Sequence, residues 1–87
     1  MNEIQKLKSY LDREMVIKIM QFIGYEFNKQ GFTSLRDERT PSTSVDKHGY
    51  IKDFGTGWRG DIFDLLVSYK GLTTPEAVKY VKDLLNV

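Results

Sequence analysis

T-S-L-R-D-E-R-T-P-S-T-S-V-D-K-H-G-Y-I-K-D-F-G-T-G-W-R-G-D, running from Thr33 to Asp61, alternates short β-type runs with turn chemistry, while the chain on either side is patterned for helix. Thr43 to Val45 and Tyr50 to Phe54 are β-branched and aromatic, the residues that suit a pleated, half-buried surface. Asp46-Lys47-His48-Gly49 lies between them with glycine placed for a tight turn, so the pair predicts a β-hairpin. Gly55-Thr56-Gly57-Trp58-Arg59-Gly60 carries too much glycine for a strand or a helix and reads as a loop. Upstream, Tyr25, Phe27 and Phe32 flank the polar run Asn28 to Gly31, which suits two short strands or a strand and a loop.

Working outward, Asp61 is a natural N-cap for an apolar helix containing Ile62, Leu65, Leu66 and Tyr69, and Lys70-Gly71 ends it. Thr73-Thr74-Pro75-Glu76 matches a capping box and opens a second helix with a stripe of Ala77, Val78, Val81, Leu84 and Leu85. On the other side, Ile4, Leu7 and Leu11 stand at helical spacing. Val16, Ile19, Met20 and Ile23 form a cleaner stripe closed by Gly24. The pattern leaves open whether Asp12 to Glu14 divides this run or one helix passes through. The expected architecture is α+β: one domain over residues 1–87, with a helical segment at 1–24, a small antiparallel sheet and glycine loop at 25–60, and two helices at 61–87.

With 87 residues the chain is near the small end of what folds on an apolar core alone, and 40% hydrophobic with 29% charged residues is ordinary for a folded domain. It has no cysteine, which excludes disulfides and thiolate metal sites. No apolar run suggests a signal peptide or a membrane span, so a cytoplasmic location is expected. Thirteen basic and twelve acidic residues give a net charge of +1, and the first, middle and last thirds are each within one charge of neutral. Strong phosphate binding goes with a basic excess, so nucleic-acid binding here should be local and weak, or helped by a partner.

The glycine run invites comparison with a phosphate loop, but no Lys-Ser/Thr follows Gly60, and Asp61 sets a carboxylate where phosphate would lie. Asp37-Glu38 lacks a third carboxylate at metal-binding spacing. His48 is the single histidine and stands in a turn, which leaves no Ser-His-Asp set.

Glu38-Arg39-Thr40-Pro41-Ser42-x-Ser44-Val45, then Gly49-Tyr50, then Phe54-Gly55-x-Gly57-x-x-Gly60-Asp61-Ile62, then Gly71-Leu72 and Glu76-Ala77-Val78, resembles the N-terminal zinc-binding domain of bacterial DnaG-type primases. The resemblance covers Phe32 to Leu85. It implies a primase zinc-ribbon-like fold, yet the family's C-x2-H and C-x2-C zinc pairs fall here on Thr33, Arg36, Asp53 and Thr56. One carboxylate and two hydroxyls make too weak a set for structural zinc, so no metal and no other cofactor is expected. An Arg36-Asp53 pair, flanked by the hydroxyls of Thr33 and Thr56, is the expected substitute for the cation. The simpler alternative is a collapsed site resting on Phe32, Leu35 and Phe54, with both charges in water.

The resemblance also implies a role. Such a domain is not the catalyst but lies on single-stranded template beside a polymerising domain. Carried over by position, Arg39, Lys47, Tyr50 and Lys52 would meet phosphate and base, with Trp58 and Arg59 as further candidates. Because Tyr50 and Phe54 flank Ile51, at least one of these aromatics is expected to pack inward, Phe54 before Tyr50. The expected function is a non-catalytic accessory subunit that binds single-stranded DNA weakly and docks on a larger DNA polymerase or primase protein, or on a helicase. A small free-standing chain of this kind suits a mobile genetic element or phage. The rival reading is a protein-interaction module that kept the scaffold and lost nucleic-acid binding.

Overall fold

The computed structural model describes residues 2–36 and 40–87. Four helices and three short strands follow in the order α1 (Glu3–Lys8), α2 (Arg13–Phe22), β1 (Thr43–Val45), β2 (Ile51–Asp53), β3 (Arg59–Gly60), α3 (Ile62–Lys70) and α4 (Thr74–Leu85). The fold is α+β, with one antiparallel sheet in the order β1-β2-β3.

The N-terminal helical run is divided. Asp12 leaves the helical conformation and its carboxylate accepts from the Met15 N–H at 2.9 Å, which caps α2 and ends the turn that follows α1. Two short helices can then both turn apolar residues inward, with Leu7 and Leu11 on one side of the break and Val16, Ile19 and Met20 on the other. Ile23 closes α2 and Gly24 follows at φ +112°, a left-handed geometry that glycine takes without steric cost.

Tyr25 to Phe32 forms no strand. The Asn28 side chain explains this locally: its oxygen accepts from the N–H groups of Gln30 and Phe32 at 3.0 and 2.9 Å, folding the backbone into an Asx-type turn before a ladder can form. Pairing begins one residue later, where Thr33 and Thr43 exchange two backbone hydrogen bonds.

The hairpin pairs Thr43 with Asp53, Ser44 with Lys52 and Val45 with Ile51. Its turn is organised by Asp46, whose carboxylate accepts from the N–H groups of His48 and Tyr50, both at 2.9 Å. These bonds hold the Asp46 carboxyl below the usual carboxylate range, the Tyr50 N–H contributing most.

The glycine run departs from its expected loop character. Arg59 and Gly60 form β3, antiparallel to Lys52 and Ile51. Gly57 at φ +82° turns the chain back, and Asp53 closes that turn by exchanging backbone bonds with Gly57 and Trp58. Gly60 pairs opposite Ile51, and the position takes glycine because a Cβ there would lie 2.7 Å from the Asp64 Cβ.

Both C-terminal helices carry reciprocal capping boxes, Asp61 with Asp64 and Thr73 with Glu76. Gly71 in the left-handed region ends α3. Ile62, Phe63, Leu65 and Leu66 from α3 meet Ala77 and Val81 from α4, the inward residues of α1 and α2, and Val45 and Ile51 from the sheet in one core. No helix is long and apolar enough to cross a membrane among the described residues.

Gly49 and Gly57 separate two costs of a side chain. Both have positive φ, but a Cβ on Gly57 meets open space, whereas one on Gly49 would lie 2.3 Å from the Leu11 carbonyl oxygen. In urea denaturation, Gly57→Ala should cost about 1 kcal/mol from backbone strain. Gly49→Ala adds overlap with backbone that cannot swing aside and should cost about 2–4 kcal/mol.

Candidate nucleic-acid interface

The side chain of Asp53 is wholly buried, and what surrounds it shapes the sheet face that lies behind it. β2 alternates strictly, with Ile51 and Asp53 turned to the core and Lys52 away from it. A carboxylate in that position must be satisfied on every side. Arg36 donates from Nη1 to one oxygen and Thr56 donates its hydroxyl to the same oxygen at 3.1 Å. The Ser42 hydroxyl at 3.0 Å and the Gly55 N–H at 2.9 Å serve the other. Burial would raise this carboxyl, but the four donors outweigh it and hold it below the usual carboxylate range, the Gly55 N–H first among them.

Of the four positions that the sequence resemblance sets at zinc ligands, the structure brings Arg36, Asp53 and Thr56 together and sends Thr33 elsewhere. The Thr33 hydroxyl donates to the Glu26 carbonyl at 2.7 Å, so it does not flank the pair. Ser42 takes the place expected for it. Its position beside a Pro turn in the sequence gave no sign of this, because the contact depends on β1 and β2 being in register. The donor set does not fit zinc: a guanidinium fills the space beside the single carboxylate, and no three His, Cys, Asp or Glu side chains gather anywhere among the described residues.

The opposite face of the sheet carries the surface chemistry. Register sets Ser44 beside Lys52 and Lys52 beside Arg59, giving a row across all three strands on the side away from the core. The alternation that buries Ile51 and Asp53 carries Tyr50 and Phe54 outward at either end of β2, with 39% and 68% exposure. Phe54 is thus not the inward aromatic that sequence patterning suggested. Two residues apart from Lys52 in each direction, both aromatics share its face, and the inward place is taken by Asp53, a charged residue whose donors come both from the adjoining turn and from Arg36 and Ser42, 17 and 11 residues away.

Lys47 is exposed in the hairpin turn, and Arg59 is exposed at the outer edge. Lys47, Lys52 and Arg59 form no ion pair among the described residues. Trp58 is half-buried, with its ring edge-on to Tyr69 at 5.4 Å between centroids, so it anchors the segment that presents Arg59. Arg39 lies outside the described residues.

The chain is 33% identical over 86 residues to a DNA primase of Clostridium acetobutylicum, an alignment covering 97% of this chain and 14% of that protein. It is 40% identical over 58 residues to a DNA primase of Enterococcus faecalis, covering 66% of this chain and 9% of that protein. It therefore spans only a small part of each of these relatives, and over that part it is primase-related. No protein-family model and no solved structure matches it.

Asp53→Asn should destabilise the fold by about 3 kcal/mol in urea titrations at neutral pH, because it removes the charge that four donors are arranged around. Arg36→Met should cost at least as much, since it leaves the buried carboxylate with neutral donors only. The Asp53 carboxyl titrates lower in the folded chain than in the unfolded one. Its contribution is therefore complete above about pH 4 and is lost as the pH falls through the lower folded value. Asp53→Asn should accordingly flatten the acid side of a stability-against-pH curve.

Proposed function

We propose that this primase-related chain is a non-catalytic accessory part of a DNA priming or replication apparatus. In this reading it lays single-stranded DNA across the outer face of its sheet and docks on a larger DNA polymerase or primase protein. The observation that carries the proposal is the surface of β2, where Lys52 stands between two exposed aromatics and beside Arg59 in cross-strand register. Aromatic rings accept any base by stacking, and unpaired cations meet the phosphates between bases. Tyr50 and Phe54 are the stacking residues, and Lys47, Lys52 and Arg59 the phosphate contacts, with Arg39 a further cation close in sequence. Trp58 supports the site from behind.

The net charge of +1 limits the electrostatic part of such binding to a few contacts. A weak template contact becomes useful when a partner holds the domain beside the strand, because tethering turns the second encounter into an intramolecular one. A second reading, a protein-interaction module without nucleic-acid binding, draws on a different region. α1 and α4 enclose an open cleft of about 780 Å³ whose walls include Ile4, Pro75 and Val78.

Fluorescence anisotropy with labelled single-stranded DNA at low salt, for the chain alone and with the polymerase or primase that co-purifies with it, tests the two. Each of Tyr50→Ala and Phe54→Ala should weaken binding by about 1–3 kcal/mol. Lys52→Ala with Arg59→Ala should make the log–log salt dependence shallower by about 1.4. Absence of binding in both states removes the template role and leaves the interaction module.

A further inference from the structure

We infer that the chain holds a pocket for one unstacked pyrimidine base at the edge of this surface. The inference rests on the reading of the sheet as a template platform. A cavity of about 160 Å³ opens between the hairpin turn, the α1–α2 junction and the start of α3. Its floor is apolar and buried, made of Leu11, Val16 and Ile62. Its rim is polar, made of Lys8, His48, Tyr50 and Asp61. The hairpin turn presses so close to Leu11 at Gly49 that no side chain fits between them, which gives the cavity a backbone wall.

Size selects the occupant. Pockets that enclose whole small-molecule ligands run to about 300–1,000 Å³, while this cavity holds the volume of about five waters. A single flat ring fits, with its sugar and phosphate left outside. The rim has the polarity to read a ring edge. The Lys8 ammonium and the Asp61 carboxylate lie 3.2 Å apart, a donor and an acceptor side by side. Asp61 also accepts from the Asp64 N–H at 2.9 Å, but each carboxylate oxygen keeps a free lone pair. Cytosine, with its amino group beside a ring nitrogen, and thymine, with its ring N–H beside a carbonyl, both present the matching donor and acceptor.

Location links the pocket to DNA more than to a protein side chain. Tyr50 belongs to both the pocket rim and the outer aromatic surface, so a strand stacked on that ring and held by Lys52 passes the pocket mouth. A base there is already unpaired, so the energy of extracting it from a duplex is not required.

The test measures binding of the full chain, with its co-purifying partner where that is needed for detectable affinity. Short labelled pyrimidine strands are compared with strands carrying one purine or one abasic site at each position in turn. A pocket predicts a single position at which either change weakens binding by at least about fivefold. Lys8→Met, and Asp61→Asn, which keeps a good helix cap, should erase that discrimination while binding to the abasic strand stays the same. Equal affinity for pyrimidine, purine and abasic strands at every position, with binding still sensitive to Lys52→Ala and Arg59→Ala, overturns the pocket and leaves the platform. A uniform loss on all strands in the two pocket variants also counts against it. No binding of the unaltered chain to any strand removes platform and pocket together.

Discussion

A buried carboxylate surrounded by four donors organises the sheet of this protein. Asp53 draws in Arg36 from the segment before the hairpin, Ser42 from the entry to β1, and Gly55 and Thr56 from the turn after β2. Three stretches of chain are therefore held by one group. Such an arrangement adds modest net stability, because removing both charges from water offsets most of their attraction, but it strongly penalises any register in which a donor is left unmet. A one-residue slip of β2 would place Lys52 in the core and Asp53 in water. The cluster therefore selects the register, and the register determines what the outer face displays.

That display has a physical logic. In a strand of three residues there is room for one outward side chain, and it is Lys52. Neighbouring strands contribute Ser44 and Arg59, and the residues just beyond the strand contribute Tyr50 and Phe54. A small surface thus gathers two cations and two rings. Tyr50 and Phe54, left at the surface, forgo the stability that burial would have given.

The α1–α4 end of the molecule is of a different kind. Its polar groups are paired with each other, Lys82 with Glu3 and Lys79 with Asp83, and apolar residues lie between them in an open cleft. Long-range attraction from this end is small. A contact made there would gain mainly from apolar area, while one made on the sheet would gain from charge and stacking. The two ends therefore differ in the kind of surface they present, paired charges around apolar residues at one and cations, unpaired among the described residues, beside exposed rings at the other.

Local chemistry in the chain determined a great deal. Asp61, Thr73 and Gly71 mark helix ends by hydrogen bonds or left-handed geometry formed within a few residues, so α3 and α4 were legible before any packing was known. The same holds for the hairpin, where Asp46 and Gly49 build the turn themselves. Asp12 also caps its helix locally, but the apolar stripes on both sides allowed a continuous helix as well, and only the need to turn Leu11 and Val16 into one core settled the break. β3 was hidden because Arg59-Gly60 has no strand propensity and pairs only since Ile51 and Lys52 stand ready beside it. Phe54 at the surface and Asp53 beneath it reverse what polarity alone suggests. Gly55 and Thr56 stand close by in the chain, but that reversal also needed Arg36 and Ser42 to arrive from elsewhere, and a contact between residues distant in sequence is decided by tertiary structure.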